Sequence, residues 1–286
     1  ISGEEVQDGI LLVFGQPRLA VFAHTDTVGY TAGYGANLIK AIYQEDIDAT
    51  IHYWGGDLMQ QAGGTLVKHY RELAFMGFIE VIKNLGEIFK NFRICKQHIS
   101  DFKPDAIVLI DYPGFNLRIA KWAKKERINT HYYISPQIWA WKESRISAIK
   151  RDVDKMYVIL PFEKGYYEIN HSMPVNFVGH PLIDAIADRK PTNEILFRKT
   201  HGLNQKPIIA LLPGSRKQEI NKMLSVMLSI AKTFSKYQFV IAGAPSQDPL
   251  FYSTFIKNKN VYFVENCTYD LLSVSHAAIV TSGTAK

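Results

Sequence analysis

A two-lobed α/β protein built on parallel sheets is the fold this sequence predicts, and three observations predict it. Short apolar runs alternate with longer stretches of helical periodicity, the pattern of parallel strands and their crossover helices. The runs fall into two sets, divided by a polar segment from about Asp188 to Lys206 that contains Arg189-Lys190-Pro191-Thr192-Asn193. The chain has 286 residues, 47% hydrophobic and 21% charged, which exceeds one ordinary domain and leaves apolar surface for two cores.

In order along the chain, the first sheet is expected from Leu19–Ala23, Thr50–Trp54, Ala106–Ile110, Thr130–Ile134 and Lys155–Leu160. Each run is bounded by turn residues or charge and is apolar enough to be covered on both faces. A second sheet is expected from Pro207–Leu212, Tyr237–Ala242, Val261–Val264 and Ala277–Thr281. Between strands, Phe78 to Cys95 reads as an amphipathic helix, with Phe78, Ile82, Leu85, Phe89 and Phe92 on one face and Lys83 and Lys90 beside them. That stripe suits a core face or a membrane-contacting surface, and the pattern leaves both open. Ile220 to Phe234 reads as a further helix, and Glu194 to Thr200 has helical character inside the boundary segment.

Composition excludes several classes. Cys95 and Cys267 are far apart and give neither a disulfide framework nor metal-ligand spacing, which fits a reducing compartment. No apolar run reaches the roughly 18 residues of a membrane span, and Ile1-Ser-Gly-Glu-Glu-Val is unlike a signal peptide. The expectation is a cytoplasmic protein, at most peripheral to a membrane. A formal charge of +6 favours anionic partners such as nucleotides, phosphosugars or acidic lipid. The basic residues are dispersed, without a dense block and interleaved aromatics, so nucleic acid is not expected.

The chemistry sits where strands end, as in open parallel sheets generally. Asp111 follows the buried run Ala106–Ile110 and opens Asp111-Tyr-Pro-Gly-Phe-Asn116. Two roles are open for it: a general base in a cleft, or the cap of the helix beginning near Phe115 or Asn116. Leu212-Pro-Gly214-Ser215-Arg216 ends the first strand of the second set and leads into a helix. Small residues, a helix N-terminus and a guanidinium make a diphosphate cradle; a simple turn with a surface arginine is the alternative. Val280-Thr-Ser282-Gly283-Thr284-Ala285 repeats the strand-to-small-residue pattern and is weak by itself. Trp139, Trp141, Tyr132 and Tyr133 are candidates to line a sugar or acyl cleft, with core packing the alternative use for at least two of them.

Together these segments resemble the lipid-A-disaccharide synthase family, glycosyltransferases of the GT-B fold. The ordered motifs are Tyr53-Trp-Gly-Gly-Asp57-Leu-Met-Gln-Gln-Ala-Gly-Gly64, Leu73-Ala-Phe-Met-Gly-Phe-Ile-Glu-Val81, Ile110-Asp-Tyr-Pro-Gly-Phe-Asn116 and Ser135-Pro-Gln-Ile-Trp-Ala-Trp141. They continue with Leu160-Pro-Phe-Glu163, Phe177-Val-Gly-His-Pro181, Leu212-Pro-Gly-Ser-Arg216 and Thr281-Ser-Gly-Thr-Ala285. The resemblance implies two Rossmann-like lobes, an acceptor lobe over 35–187 and a UDP-sugar lobe over 188–286, the second incomplete. It implies inverting transfer of 2,3-diacylglucosamine from UDP to 2,3-diacylglucosamine 1-phosphate, giving a β-1,6 disaccharide without a metal or other cofactor. Asp111 matches the acid/base position. Gly214, Ser215 and Arg216, with Ser282, Gly283 and Thr284, match the donor pocket, and Pro113, Phe115 and Asn116 the acceptor side. Peripheral attachment to the inner membrane follows from acylated substrates, and a homodimer is among the assemblies the resemblance allows.

Two departures qualify the match. Family-like sequence resumes at Gly35, and residues 1–34 carry instead a strand followed by His24-Thr-Asp26, similar to the strand-end His-x-Asp of metallo-aminopeptidases. No bridging carboxylate or second histidine accompanies that pair, so the segment is expected to supply a first strand and no metal chemistry. The chain also stops at Lys286, where the family continues, from which an impaired enzyme is expected. The alternatives are a non-catalytic GT-B remnant that binds UDP or lipid, and a different GT-B transferase.

Overall fold

The computed structural model describes residues 5–6, 9–10, 18–23, 30–69, 85–187, 189–215, 217–244 and 247–281. The chain forms two compact units, residues 1–188 and 189–286.

The first unit is a seven-stranded parallel sheet. Its strands are β1 (Arg18–Ala23), β2 (Thr50–Gly55), β3 (Thr65–His69), β4 (Ala106–Ile110), β5 (Asn129–Tyr133), β6 (Lys155–Val158) and β7 (Asn176–Phe177). They lie in the order β3-β2-β1-β4-β5-β6-β7. Parallel neighbours need crossovers. These are α1 (Tyr30–Glu45), α3 (Leu85–Phe102), α4 (Pro113–Lys125), α5 (Ile146–Asp152) and α6 (Pro161–Gly165), with α2 (Asp57–Ala62) between β2 and β3 and α7 (Pro181–Ala187) after β7. Alternation decides which face each side chain covers. In β4, Ile107 and Leu109 pack with Phe92, Phe115, Ile119 and Tyr132, whereas Ala106 and Ile110 pack with Ile39 and Met59 on the other side. A strand buried on both faces has no polar alternation to show, which is why Ala106–Ile110 reads as one apolar run. Each such Ile or Leu contributes about 1.5–3 kcal/mol by burial.

The two strands without an apolar-run signature, β3 and β7, lie at the sheet edges. Edge strands need cover on fewer sides: β3 is only half-buried apart from its exposed first residue, and β7 is two residues long. The run Lys155–Leu160 leaves the ladder after Val158, because the amides of Ile159 and Leu160 turn to donate to the Glu163 carboxylate (3.1 and 2.9 Å). The helix expected over Phe78 to Cys95 is described from Leu85 and extends to Phe102. Its stripe divides: Phe92 is buried with Cys95 and Ile99, but Phe89 is 67% exposed. Phe78 and Ile82 lie outside the described residues, as do His24 and Asp26.

The second unit is a four-stranded parallel sheet of β8 (Ile208–Leu212), β9 (Gln238–Gly243), β10 (Val261–Glu265) and β11 (Ala277–Val280), in the order β10-β9-β8-β11. The helices α8 (Glu194–Thr200), α9 (Lys217–Ser229), α10 (Pro249–Ser253) and α11 (Thr268–Ser273) accompany it. Asn193 caps α8 by accepting from the Leu196 amide (3.0 Å). The polar stretch after Asp188 is packed into this unit. Arg189 and Thr192 both donate to Asp270 of α11 (2.6 and 2.7 Å). Arg198, 8% exposed, donates to Glu194 and to the carbonyls of Asn204 and Lys206.

Candidate functional site

Both sheets reverse strand order once, and open α/β sheets bind ligands beyond the carboxyl ends of the strands at that reversal. In the first unit the reversal lies between β1 and β4, and Asp111 is the residue that follows β4. In the second it lies between β8 and β11. Gly214 and Ser215 follow β8, and Thr281 follows β11 with its amide donating to the Leu212 carbonyl (3.0 Å).

Asp111 and Tyr112 are consecutive residues in the left-handed region, with φ of 48° and 43°. Non-glycine residues stay there only where their surroundings hold them, and such strain concentrates at functional sites. Three bonds hold this turn. The Asn116 amide donates to the carbonyls of Ile110 (3.1 Å) and Asp111 (2.8 Å), and the Tyr132 hydroxyl donates to the Asp111 carbonyl (2.5 Å). The Asp111 amide in turn donates to Tyr133 of the neighbouring strand (3.0 Å). Helix α4 begins at Pro113 with Tyr112 as its N-cap, so Asp111 lies one residue outside the cap position. That placement puts a half-buried carboxylate at the strand tip.

Of the other residues singled out in this turn, Pro113 occupies the first helical position and is half-buried. Phe115 and Asn116 are 9% and 1% exposed. Phe115 stacks on Phe92 at 4.3 Å between centroids, and Asn116 makes the two bonds above. Both support the Asp111 turn from beneath. Of the four aromatics named as cleft candidates, Tyr132 is fully buried, with its hydroxyl committed to the turn and its acidity suppressed first by burial. Tyr133 is half-buried; burial first, then the nearby Tyr34 and Asp184, push its phenol up to about 12. Trp139 and Trp141 are at the surface.

A buried carboxylate that the sequence reading did not assign organises the next loop. Glu163 is 1% exposed. It accepts from Ser135 Oγ (2.8 Å) and Trp139 Nε1 (3.2 Å), besides the two amides of Ile159 and Leu160. The Tyr167 hydroxyl adds a bond to the Pro136 carbonyl (3.3 Å). The segment 135–141 is thereby fixed at the end of β5, next to the Asp111 turn. Its only sequence signal is the conjunction of Ser135-Pro-Gln-Ile-Trp with Leu160-Pro-Phe-Glu163, two motifs too far apart in sequence to suggest a contact.

In the second unit Gly214 has φ +99°, and a Cβ there would fall against the carboxylate of Glu219. The backbone angle is what favours glycine here, since the Glu219 carboxylate ends a flexible side chain that can move aside. Gln247 Nε2 donates to the Ser215 carbonyl (3.0 Å), bracing the turn from the loop after β9. Thr281 is 8% exposed, and its Oγ1 has no hydrogen-bond partner among the described residues. Arg216, Ser282, Gly283 and Thr284 lie outside the described residues. Among the described residues no group of three or more His, Cys, Asp or Glu side chains could hold a metal, and no helix is long and apolar enough to cross a membrane.

The family model described as lipid-A-disaccharide synthetase matches residues 27–286, beginning ahead of Gly35. Lipid-A-disaccharide synthase 1 of Legionella pneumophila (strain Philadelphia 1) is 41% identical over 276 residues, covering 94% of this chain and 70% of its own. The match therefore also takes in part of residues 1–34, the segment that the motifs set apart. The lipid-A-disaccharide synthase of Coxiella burnetii (strain CbuK_Q154) is 37% identical over 254 residues, covering 87% and 67%. Among solved structures, a Staphylococcus aureus MnaA–UDP co-structure aligns with a TM-score of 0.65 at 13% identity, covering 94% of this chain and 75% of that one. The calicheamicin glycosyltransferase CalG4 aligns at 0.53 and 14%, covering 93% and 74%. These two likenesses are of fold, the two-lobed GT-B type.

Proposed function

This chain belongs to the lipid-A-disaccharide synthetase family, a family of glycosyltransferases, and from that premise we propose how its two strand-end sites divide the reaction. The donor is UDP-2,3-diacylglucosamine and the acceptor 2,3-diacylglucosamine 1-phosphate. Asp111 takes the proton from the acceptor's 6-hydroxyl as that oxygen bonds to the donor's anomeric carbon. The bond from that carbon to the diphosphate breaks, and UDP leaves with its electron pair. Attack on the face opposite the leaving group inverts the configuration and gives the β-1,6 linkage.

The observation that carries this reading is the Asp111 turn: a half-buried carboxylate at the topological switch point, held in a left-handed conformation by Asn116 and Tyr132. A base needs first a fixed position within hydrogen-bond reach of the proton it takes. On this reading Pro113 borders the acceptor, while Phe115 and Asn116 set the base from beneath. Gly214, Ser215 and Arg216, with Ser282, Gly283 and Thr284, receive the UDP diphosphate, where the close-approaching backbone and the guanidinium offset the charge that builds on the leaving group. Acylated substrates place the protein at the inner-membrane surface as a peripheral enzyme. Asp111→Asn keeps the side chain's shape and removes its basicity. Its kcat is expected to fall by about 100- to 10,000-fold with KM nearly unchanged. A kcat within a factor of three of the parent would remove Asp111 from the role.

A further inference from the structure

The loop that Glu163 anchors carries more than a support for the site. Its tip sets large aromatic rings in solvent: Trp141 is 64% exposed and Trp139 38%. Phe162, 53% exposed, meets Trp139 edge-on at 4.9 Å. Two cations flank the more exposed ring, with Lys142 Nζ 4.2 Å and the Arg145 guanidinium 5.4 Å from its centroid. The one acidic residue of the tip, Glu143, has its side chain 64% exposed, accepts from the Tyr166 hydroxyl (3.0 Å) and lies 3.3 Å from His171 Nε2, so the two cations outnumber it. Lys142 has a left-handed backbone, φ 57°, and the Trp139 indole N–H is tied to buried Glu163 (3.2 Å), so the display is built from within.

Exposing two indoles in one short stretch, with Phe162 of α6 against one of them, costs hydration free energy that burial elsewhere would recover, and exposed apolar clusters of this kind mark interaction surfaces. The chemistry identifies the partner. Indole rings with a polar N–H beside basic side chains suit the headgroup layer of an anionic bilayer, where the rings sit at the acyl boundary and the cations meet lipid phosphate. The core of a protein–protein interface is depleted in lysine, so Lys142 over the Trp141 ring favours the headgroup layer.

We propose that the 139–145 loop is a membrane-docking element that inserts Trp139 and Trp141 among anionic phospholipid headgroups while Lys142 and Arg145 engage their phosphates. The proposal rests on the transferase reading for its reason, since acylated substrates must be drawn from a bilayer. Its test needs no turnover. The full chain is sedimented with vesicles of phosphatidylethanolamine and phosphatidylglycerol, and with phosphatidylcholine alone. It is expected to bind the anionic vesicles, less so as salt is raised. Lys142→Gln and Arg145→Gln are each expected to weaken binding about fivefold at low salt. Trp141→Ser is expected to weaken it by at least about tenfold.

A second measurement separates insertion from misfolding. Brominated acyl chains are expected to quench indole fluorescence, and Trp139→Phe/Trp141→Phe is expected to lose that quenching while still sedimenting and keeping its circular dichroism. Equal sedimentation with both vesicle types, unchanged binding in the Gln and Ser variants, or full quenching in the double Phe variant would overturn the proposal. Asp111→Asn should bind vesicles like the parent. Loss of transfer in that variant without any vesicle binding by the parent would leave the transferase reading standing and the docking proposal refuted.

Discussion

Asp111 was visible in the sequence because an acid directly after a buried apolar run can only lie at a strand tip. What holds it there was not visible. Asn116 was named for its motif, but its two bonds to the carbonyls of residues 110 and 111 follow from the turn's left-handed geometry, which no local pattern announces. Asn116→Ala and Asn116→Asp both remove the donor to the Ile110 and Asp111 carbonyls, of which the second keeps its bond from Tyr132. Each is expected to cost about 1–3 kcal/mol in urea unfolding. Each should also lower kcat more than KM is changed, because the base moves; an unaltered kcat would show that the turn holds without Asn116. Glu163 is the residue that reading along the chain passed over. A carboxylate among four donors looks, in sequence, like a surface glutamate in the first turn of a helix. Glu163→Ala strands two backbone amides, the Ser135 hydroxyl and the Trp139 indole. It is expected to destabilise the fold by roughly 3 kcal/mol, read by the midpoint of denaturant unfolding.

At the scale of elements, strands buried on both faces were legible and edge strands were not. Ala106–Ile110 agrees residue for residue, whereas Thr65–His69 and Asn176–Phe177 carry too little apolar content to stand out. Helix α3 shows why a stripe misleads: burial follows Phe92, Cys95 and Ile99, and the exposed Phe89 belongs to the apolar spacing but not to the core. The same helix holds an acid-sensitive joint. His98 meets His52 of β2 through Nε2 and Nδ1 (3.1 Å), and Phe102 stacks on His52 at 3.8 Å. Burial lowers both imidazoles below the ordinary 6.5, and for His98 the neighbouring His52 lowers it further. The unfolded chain therefore takes up protons in a range where the folded chain does not. Stability is expected to fall as pH drops below about 6.5 and to stop falling below the folded values. Thermal unfolding between pH 7 and 5 should show a decrease in Tm that His98→Gln diminishes. An identical slope in that variant would place the acid sensitivity elsewhere.

Across the whole molecule, two parallel sheets were legible from two sets of apolar runs, and each places its small or acidic strand-end residues at its own reversal of order. The reversal itself was not legible, because strand order is decided by packing between crossovers and not by any one segment. It makes a specific demand of the second unit. UDP is expected to slow amide exchange at Gly214 and Ser215, and at about a hundredfold excess over Kd to stabilise this unit by about 2.7 kcal/mol. Gly214→Ala, strained at φ +99°, should lose that response. The division of labour between the two units is tested most directly by following the reaction of the chain with both lipid substrates by phosphorus NMR. The expected result is the appearance of free UDP with the acceptor's 1-phosphate retained in a larger product. UDP released with only free diacylglucosamine formed would contradict transfer as the function of these sites.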